Sequence, residues 1–154
     1  MNWGYIAGFL DADGSITLAS RRNLFEPRVK FVNTNKKALQ KIAEFVETSC
    51  KIIIHNKSGR PSHNPNHKTS YMLVLSSFKD IHNVIEHTIK NLIIKKEQAT
   101  LIQKYLELRE TKRSLSGIPR VTWKPGFTYG EVEKEIYEKI KILNLRGGKA
   151  HYRK

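Results

Sequence analysis

The sequence predicts an α+β domain in which an antiparallel sheet carries helices on one face and leaves the other face open. Two observations predict this fold. Residues that alternate between apolar and polar form two pairs of strands, and apolar residues three and four positions apart form helices before, between and after those pairs. The predicted order is therefore α-ββ-α-ββ-α-α-α, and we expect the open face to be polar and basic.

The first predicted helix covers residues 3 to about 11, with Asn2 as its N-cap. It has no polar side, which is typical of a helix that is buried on every side. Small residues three and four positions apart form one smooth ridge along it, against which another helix backbone could pack closely: Gly4, Ala7 and Gly8.

Two half-buried strands follow at residues 15–21 and 28–34, with Pro27 closing the connection between them. A second helix comes next, and Asn35 is its predicted N-cap. Two more strands are predicted at about residues 51–57 and 69–76. Every charged residue of the loop between these two strands is basic, which adds to the positive charge near the open face.

Three helices complete the predicted domain. One covers about residues 77–90 and the next covers about residues 96–112. The last helix is predicted to begin with the capping box Thr128-x-x-Glu131. Its inward-facing side is predicted to carry four apolar residues: Val132, Ile136, Ile140 and Leu143.

The composition limits the organisation and the partners. The length of 154 residues suits a single domain, 1–154, with a core over about 2–112 and a C-terminal loop and helix over about 113–148. A formal net charge of +14 indicates a polyanionic partner, nucleic acid first, with a basic solvated surface as the alternative. The sequence shows no basic amphipathic helix with a large apolar face, so it does not indicate binding to an anionic membrane. Cys50 is the single cysteine, so we expect no disulfide framework and an intracellular chain.

Two carboxylates stand at the end of the first helix. Asp11 and Asp13 precede Gly14, where the backbone turns toward the first strand. A helix C-terminus is negatively polarised, so acids there carry an electrostatic cost that a bound cation would relieve. Carboxylate and carbonyl oxygens are suitable ligands for a hard cation such as Mg²⁺. The pattern is compatible with a metal site and with an acidic turn that merely ends a buried helix.

Residues 6–14, IAGFLDADG, resemble the LAGLIDADG motif of homing endonucleases, and the predicted element order over about residues 2–112 is similar to that family's core. The resemblance implies an α-ββ-α-ββ-α homing-endonuclease fold, with the sheet as a saddle on DNA and an extra C-terminal helix. It also implies that Asp13 is the catalytic metal ligand and that the backbone carbonyl of Ala12 helps to bind the metal. Asp11 and Gly14 would support the geometry of the motif.

Two further catalytic roles follow from the same resemblance. In the family a polar residue near the end of the second strand orients water, and Asn35 occupies that place here. Its alternative role is that of a helix cap only. A lysine before the later helix holds a water or the scissile phosphate in the family, and Lys95 matches it best, with Lys96 as the alternative.

A single copy of the motif is found in the sequence, and family members with one copy form pairs. The resemblance therefore implies a homodimer, with the ridge of small residues as a two-fold interface. Pairing would bring Asp13 close to Asp13 of the partner subunit, and two carboxylates at short range repel each other. Two or more Mg²⁺ ions per dimer would offset that repulsion and hold the attacking and leaving oxygens of a phosphodiester.

The open face of the sheet is the predicted DNA-binding surface, because a twisted two-stranded ribbon fits the major groove. Arg and Lys would contact guanine edges or phosphates, while Val32 and Met72 would contact thymine methyl groups. The candidate contacts on this face and on the adjoining loop are Thr17, Arg21, Arg28, Lys30, Val32, His55, Lys57, Arg60, Lys68, Ser70 and Met72.

The resemblance implies a site-specific double-strand DNA endonuclease that cuts a long, near-palindromic target across the minor groove and leaves staggered 3′ ends. A mobile intron would encode it, and it would act in a prokaryotic cytoplasm or in an organelle. One alternative is an RNA maturase that assists the splicing of its host intron. The other is a DNA-binding protein that has lost cleavage, which intact Asp11 and Asp13 disfavour.

Overall fold

The computed structural model describes residues 1–21, 24–56, 68–116 and 130–145. The elements follow the predicted order: α1 (Trp3–Asp13), β1 (Gly14–Arg21), β2 (Leu24–Asn33), α2 (Lys36–Phe45), β3 (Ile52–Asn56), β4 (Ser70–Leu75), α3 (Phe78–Thr88), α4 (Lys96–Ser116) and α5 (Glu131–Leu143). The α+β prediction is confirmed. In the described part of the chain, no helix is both long and apolar enough to cross a bilayer.

The four strands form one antiparallel sheet in the order β1-β2-β4-β3. Strands β1 and β2 pair along their whole length, from Gly14 opposite Phe31 to Arg21 opposite Leu24. Strand β4 pairs with the second half of β2 only, from Val29 to Asn33. The β1–β2 hairpin therefore extends beyond the rest of the sheet.

Pro27 lies inside β2, opposite Leu18, so its predicted place in the turn is wrong. Proline has no N–H to donate and is tolerated where a strand has a neighbour on one side only. At Pro27, β2 meets that condition, because β4 does not begin to pair with it until Val29.

The core lies between the sheet and the helices. Alternate residues of the strands are buried, among them Ile16 in β1 and Phe31 in β2, each with no exposed surface. Helices α1, α2 and α3 pack against the sheet, and α4 and α5 contact β1. The residues between the buried ones form the opposite face, which we call the open face: Ser15, Thr17 and Ala19 in β1, Glu26, Arg28, Lys30 and Val32 in β2, Ile53 in β3, and Ser70, Met72 and Val74 in β4.

The last helix begins later than the capping box predicts. Its N-cap is Gly130, with no side-chain hydrogen bond, and Glu131 is its first residue; Thr128 lies outside the described residues. The apolar stripe is also partly wrong, because Val132 is exposed whereas Glu133 is buried and forms an ion pair with Lys112 of α4. Val132 and Glu133 are neighbours in the sequence, so a rotation of α5 by one position buries the carboxylate in place of the valine. The spacing of apolar residues did not predict this rotation.

Candidate active site

The acidic end of α1 joins directly to β1, and Gly14 makes this junction possible. A Cβ atom at Gly14 would lie 2.8 Å from both the Cα and the carbonyl oxygen of Leu10. Its φ of −92° is ordinary, so the glycine is required by close approach and not by an unusual backbone conformation. The predicted role of Gly14 as a support of the motif agrees with this contact.

Asp11 binds the backbone in front of α4. Its carboxylate accepts hydrogen bonds from the backbone N–H groups of Ile93 at 2.7 Å, Ile94 at 3.2 Å and Lys95 at 2.9 Å. Three donors on one carboxylate fix that segment against the end of α1. The contacts agree with a supporting role for Asp11, and they occupy the side chain with protein partners.

Because these hydrogen bonds fix the segment before α4 against the end of α1, Lys95 lies beside both acids. It is half-buried, and its ammonium donates a hydrogen bond to the backbone carbonyl of Asp11. Burial lowers the pKa of Lys95, and the charges of Asp11 and Asp13 act in the opposite direction. Lys96 is exposed and is the first residue of α4. Of the two predicted lysines, the geometry therefore favours Lys95 as part of the site.

Asp13 differs from Asp11 in burial and in hydrogen bonding. Its side chain is exposed, and among the described residues it has no hydrogen-bond or ion-pair partner. Ala12 is also exposed, and it lies in the last turn of α1, where carbonyl groups lack helical partners. One carboxylate and one nearby carbonyl are thus available for a hard cation such as Mg²⁺. No group of three His, Cys, Asp or Glu side chains suited to a metal occurs within the described residues.

Asn35 caps α2. Its side-chain oxygen accepts from the backbone N–H groups of Lys37 at 3.0 Å and Ala38 at 3.4 Å, which confirms the predicted cap. The catalytic role implied for Asn35 stays a prediction, and it would have to compete with these contacts. Asn33 supports the same turn, because its side chain accepts from the N–H of Asn35 at 2.8 Å. Two amide side chains, two residues apart, therefore shape the turn after β2.

The predicted DNA contacts fall into three groups. The larger group shares the open face: Thr17, Arg28, Lys30, Val32, Ser70 and Met72. Two exposed residues stand at the margin of the sheet, His55 at an irregularity of β3 and Lys68 just before β4. Arg21 is the last residue of β1, and Lys57 and Arg60 lie outside the described residues.

Glu26 was missed by the sequence reasoning. Its carboxylate binds the guanidinium of Arg28 at 2.7 Å on the open face. Both side chains are about one-third exposed. The two residues are two positions apart in a strand, a spacing that places side chains on one face, so the alternation itself could have indicated the pair. The glutamate thus places one negative charge beside the arginine on the open face.

A family model described as a LAGLIDADG-like domain matches residues 2–88. The chain belongs to this family. The match covers α1, both strand pairs, α2 and the whole of α3, and it includes the acidic end of α1 that is described above. A comparison with curated proteins finds no match.

Solved structures with this LAGLIDADG fold are similar to the chain throughout its length. The homing endonuclease I-CvuI, in complex with its target in the presence of 2 mM Ca, has 18% identity and a TM-score of 0.62, with 95% of this chain and 83% of that chain covered. The LAGLIDADG meganuclease I-AabMI, bound to uncleaved DNA, has 14% identity and a TM-score of 0.64, with coverages of 92% and 44%. An archaeal intron-encoded homing endonuclease, I-Vdi141I, complexed with DNA, has 19% identity and a TM-score of 0.55, with coverages of 94% and 97%. At these identities the likeness shows the fold.

In the single chain, the LAGLIDADG helix α1 is buried on one side only; its burial on every side stays a prediction, because it includes a partner helix against the ridge. Ile6, Ala7 and Leu10 have no exposed surface. Ala7 is thus a core residue of the single chain, so it does not lie on the surface that Gly4 and Gly8 would offer to a partner helix. Gly4 and Gly8 are exposed, as is Ala12 one turn further on. A Cβ at Gly8 would meet nothing within 4 Å, so the chain's own packing does not require this glycine.

Proposed function

We propose that this chain is a site-specific, divalent-metal-dependent DNA endonuclease that acts as a homodimer. The proposal rests on one observation, that the two acids of the motif have different contacts. Asp11 is engaged by three backbone N–H groups, whereas Asp13 is exposed, has no protein partner among the described residues and lies near the Lys95 ammonium. An unpaired acid at a negatively polarised helix end is costly unless a cation binds there.

The ligand set of one chain is incomplete for Mg²⁺, which prefers six oxygen ligands. A single chain offers the Asp13 carboxylate and, in the same helical turn, the carbonyl of Ala12. The remaining ligands would come from Asp13 of the partner subunit, from phosphate oxygens and from water. When bound, the metal supplies an activated water and charge stabilisation for phosphodiester hydrolysis.

Lys95 would contribute positive charge next to the scissile phosphate. Its ammonium is tied to the Asp11 carbonyl, and its backbone N–H is tied to the Asp11 carboxylate, so it is fixed at both ends. A fixed cation beside a developing negative charge lowers the barrier without reorganisation during the reaction. Asp11 acts through Lys95 and is therefore a positioning residue in this proposal.

The exposed side of α1 supports pairing of two chains. Gly4 and Gly8 leave a shallow surface without side chains, and Tyr5 beside them is 50% exposed, so an apolar helix face lacks a cover in the single chain. This chain also corresponds to 44% of the length of the DNA-bound meganuclease I-AabMI. A second copy would supply the missing half, and it would bring the two Asp13 residues to one two-fold axis.

The charge and the open face support duplex DNA as the substrate. A dimer would double the net charge of +14, and Arg28 and Lys30 lie on the open face of each sheet. Neutralising phosphates with many cationic groups gives tight binding that weakens steeply with salt. The described residues provide no observation that favours the maturase alternative. Origin in a mobile intron and location in a prokaryotic cytoplasm or an organelle stay predictions.

The deciding experiment selects cleaved products from a randomised duplex library incubated with the full chain and Mg²⁺. We expect one long, near-palindromic consensus, with cleavage abolished by chelation of the metal. The matched variant Asp13→Asn should retain affinity for that duplex and lose cleavage. Failure to recover any cut sequence, or cleavage by Asp13→Asn at the wild-type rate, would overturn the proposal.

A further inference from the structure

The outer end of the β1–β2 hairpin stands apart from the other described strands. Strand β4 pairs with β2 only from Val29 onward, so residues 17–21 and 24–28 form a two-stranded extension, which we call the outer hairpin. A two-stranded ribbon is marginally stable at best in water. The orientation of the outer hairpin therefore depends on what packs against it, and its open face carries the Glu26–Arg28 ion pair.

Helix α4 holds the backbone of the outer hairpin. Tyr105 of α4 is fully buried, and its hydroxyl donates a hydrogen bond to the backbone carbonyl of Phe25 at 2.6 Å. Phe25 lies in the part of β2 that β4 does not reach. A buried tyrosine hydroxyl usually finds a polar partner, and here the partner belongs to the strand itself. This hydroxyl therefore links α4 to the outer hairpin.

Helix α5 contacts both strands of the hairpin. The ring of Tyr137 stacks on the ring of Phe25, with centroids 4.7 Å apart and 18° between the ring planes. Stacked aromatic pairs contribute stabilisation beyond the area that they bury. Asn144, the C-cap of α5, donates from its side-chain amide to the backbone carbonyl of Ile16 at 3.0 Å. Phe25 in β2 and Ile16 in β1 are thus both attached to α5.

Helix α5 is in turn fixed to α4. Glu133 is buried and forms an ion pair with Lys112 of α4, and Ile136 and Ile140 of α5 are buried as well. Separating a buried carboxylate from its cationic partner is costly, so the two helices stay together. Helices α4 and α5 therefore form one support on the side of the hairpin opposite the open face. Both helices lie beyond residues 2–88, which the family model matches.

We propose that Tyr105 and Tyr137 are positioning residues for DNA recognition, which hold the outer hairpin in the orientation that Arg28 needs to reach its base pairs. The inference rests on the proposed endonuclease function and gives α4 and α5 a role in it. Glu26 follows Phe25 along β2, so a shift of the backbone at Phe25 also moves the Glu26–Arg28 pair on the open face. The inner end of the hairpin is held by its pairing with β4 instead. Loss of the support should therefore weaken sequence preference far from the cut and leave it intact near the cut.

The first measurement is amide hydrogen exchange of the free, full chain. Tyr105→Phe removes only the hydroxyl that binds the Phe25 carbonyl, and Tyr137→Leu removes the stacked ring. Each variant should make the outer hairpin exchange about fivefold faster, the factor for one hydrogen bond or one aromatic pair (~1 kcal/mol), with β4 unchanged. The matched control is Thr88→Val, which also removes a buried hydroxyl that donates to a backbone carbonyl, here within α3. It should leave the exchange of the outer hairpin unchanged.

The second measurement is the selection of bound sites from a randomised duplex library. Each variant is combined with Asp13→Asn, so that bound sequences are not cut. Tyr105→Phe and Tyr137→Leu should lose sequence preference at the outer base pairs of each half-site and keep it at the inner ones. Tyr137→Phe, which retains the stacked ring, should restore the preference of the Asp13→Asn chain, and Thr88→Val should retain it.

The outcomes separate a positioning role from a merely structural one. Faster exchange over β4 and the outer hairpin alike, or a loss of preference spread evenly over the site, would mean that the tyrosines only stabilise the domain, and would overturn the inference. Unchanged exchange and unchanged preference in Tyr105→Phe and Tyr137→Leu would overturn it as well. Each of these results leaves the endonuclease function standing. Absence of any selected sequence with Asp13→Asn, and of any cleavage by the unaltered chain, overturns both.

Discussion

Replacing Asp11 with Asn should destabilise the chain, although the change removes only a charge and one acceptor. The Asp11 carboxylate accepts from three backbone N–H groups, at 2.7, 3.2 and 2.9 Å. A carboxamide keeps one acceptor oxygen and turns an N–H₂ group toward the same donors. The remaining oxygen can accept from Ile93 and Ile94, as Oδ2 does in Asp11, so only the bond from Lys95 is lost. Loss of that charge-assisted bond (about 1.5 kcal/mol) and weakening of the other two to neutral bonds (about 0.75 kcal/mol each) give about 3 kcal/mol.

The assay is urea unfolding at pH 7, with every variant at the same protein concentration because a dimer's stability depends on it. With a slope of about 2 kcal/mol per molar urea, the midpoint should fall by about 1.5 M. Asp13→Asn is the matched control: it has no protein partner to lose, and removing an acid from a helix C-terminus should raise stability by about 0.3–1 kcal/mol. Cleavage should fall in both variants.

An unfolding free energy of Asp11→Asn within about 0.5 kcal/mol of wild type, the range of neutral surface substitutions, would show that the three hydrogen bonds do not stabilise the fold. A lower stability of Asp13→Asn than of Asp11→Asn would also contradict this stabilising role. Equal losses of stability would mean that the two carboxylates share the contacts that we assign to Asp11 alone.

Three further substitutions test other parts of the site. Gly8→Leu should abolish dimerisation, measured by sedimentation, and should keep the far-UV circular dichroism spectrum of a folded chain, because no atom lies within 4 Å of the added Cβ. The control Thr100→Leu, at an exposed position of α4, should leave the dimer intact. A Gly8→Leu variant that still forms a dimer would place the interface elsewhere. Gly14→Ala should lower the unfolding free energy by about 3 kcal/mol, because its Cβ would lie 2.8 Å from backbone atoms of the preceding turn, and an unchanged melting temperature would contradict the contact. Lys95→Met should slow single-turnover cleavage about 100-fold and should retain affinity for DNA, whereas the control Lys96→Met should cleave at the wild-type rate. Slow cleavage by Lys96→Met, with normal cleavage by Lys95→Met, would assign the role to Lys96.

The sequence predicted the architecture well because the fold depends on local periodicity. Alternation around Phe31 and helical spacing around Leu39 are properties of neighbouring residues, and both residues are fully buried as expected. Pro27 shows where this reasoning fails. Whether a strand tolerates proline depends on where its second neighbour begins to pair, and β4 lies more than forty residues further along the chain.

The site was predicted less completely for the same reason. Spacing and periodicity treat Asp11 and Asp13 alike; the family resemblance implied different roles for them, and the physical difference lies in contacts 82–84 residues away. The burial of Ala7 beside exposed Gly8 likewise depends on how α1 is rotated against the sheet, which helical spacing does not specify. The roles of Asp13 and Ala12 in metal binding were implied by the family resemblance, and they stay predictions.

Buried and partly exposed side chains alternate along β2, so neighbouring residues of this strand serve different purposes. Val29 and Phe31 are fully buried in the core, while Arg28, Lys30 and Val32 are partly exposed on the open face. Substitutions at the even positions should therefore change the preferred DNA sequence at little cost in folding free energy. A lineage of such proteins could acquire new target sites by successive replacements on one surface, while the scaffold beneath it tolerates each of them.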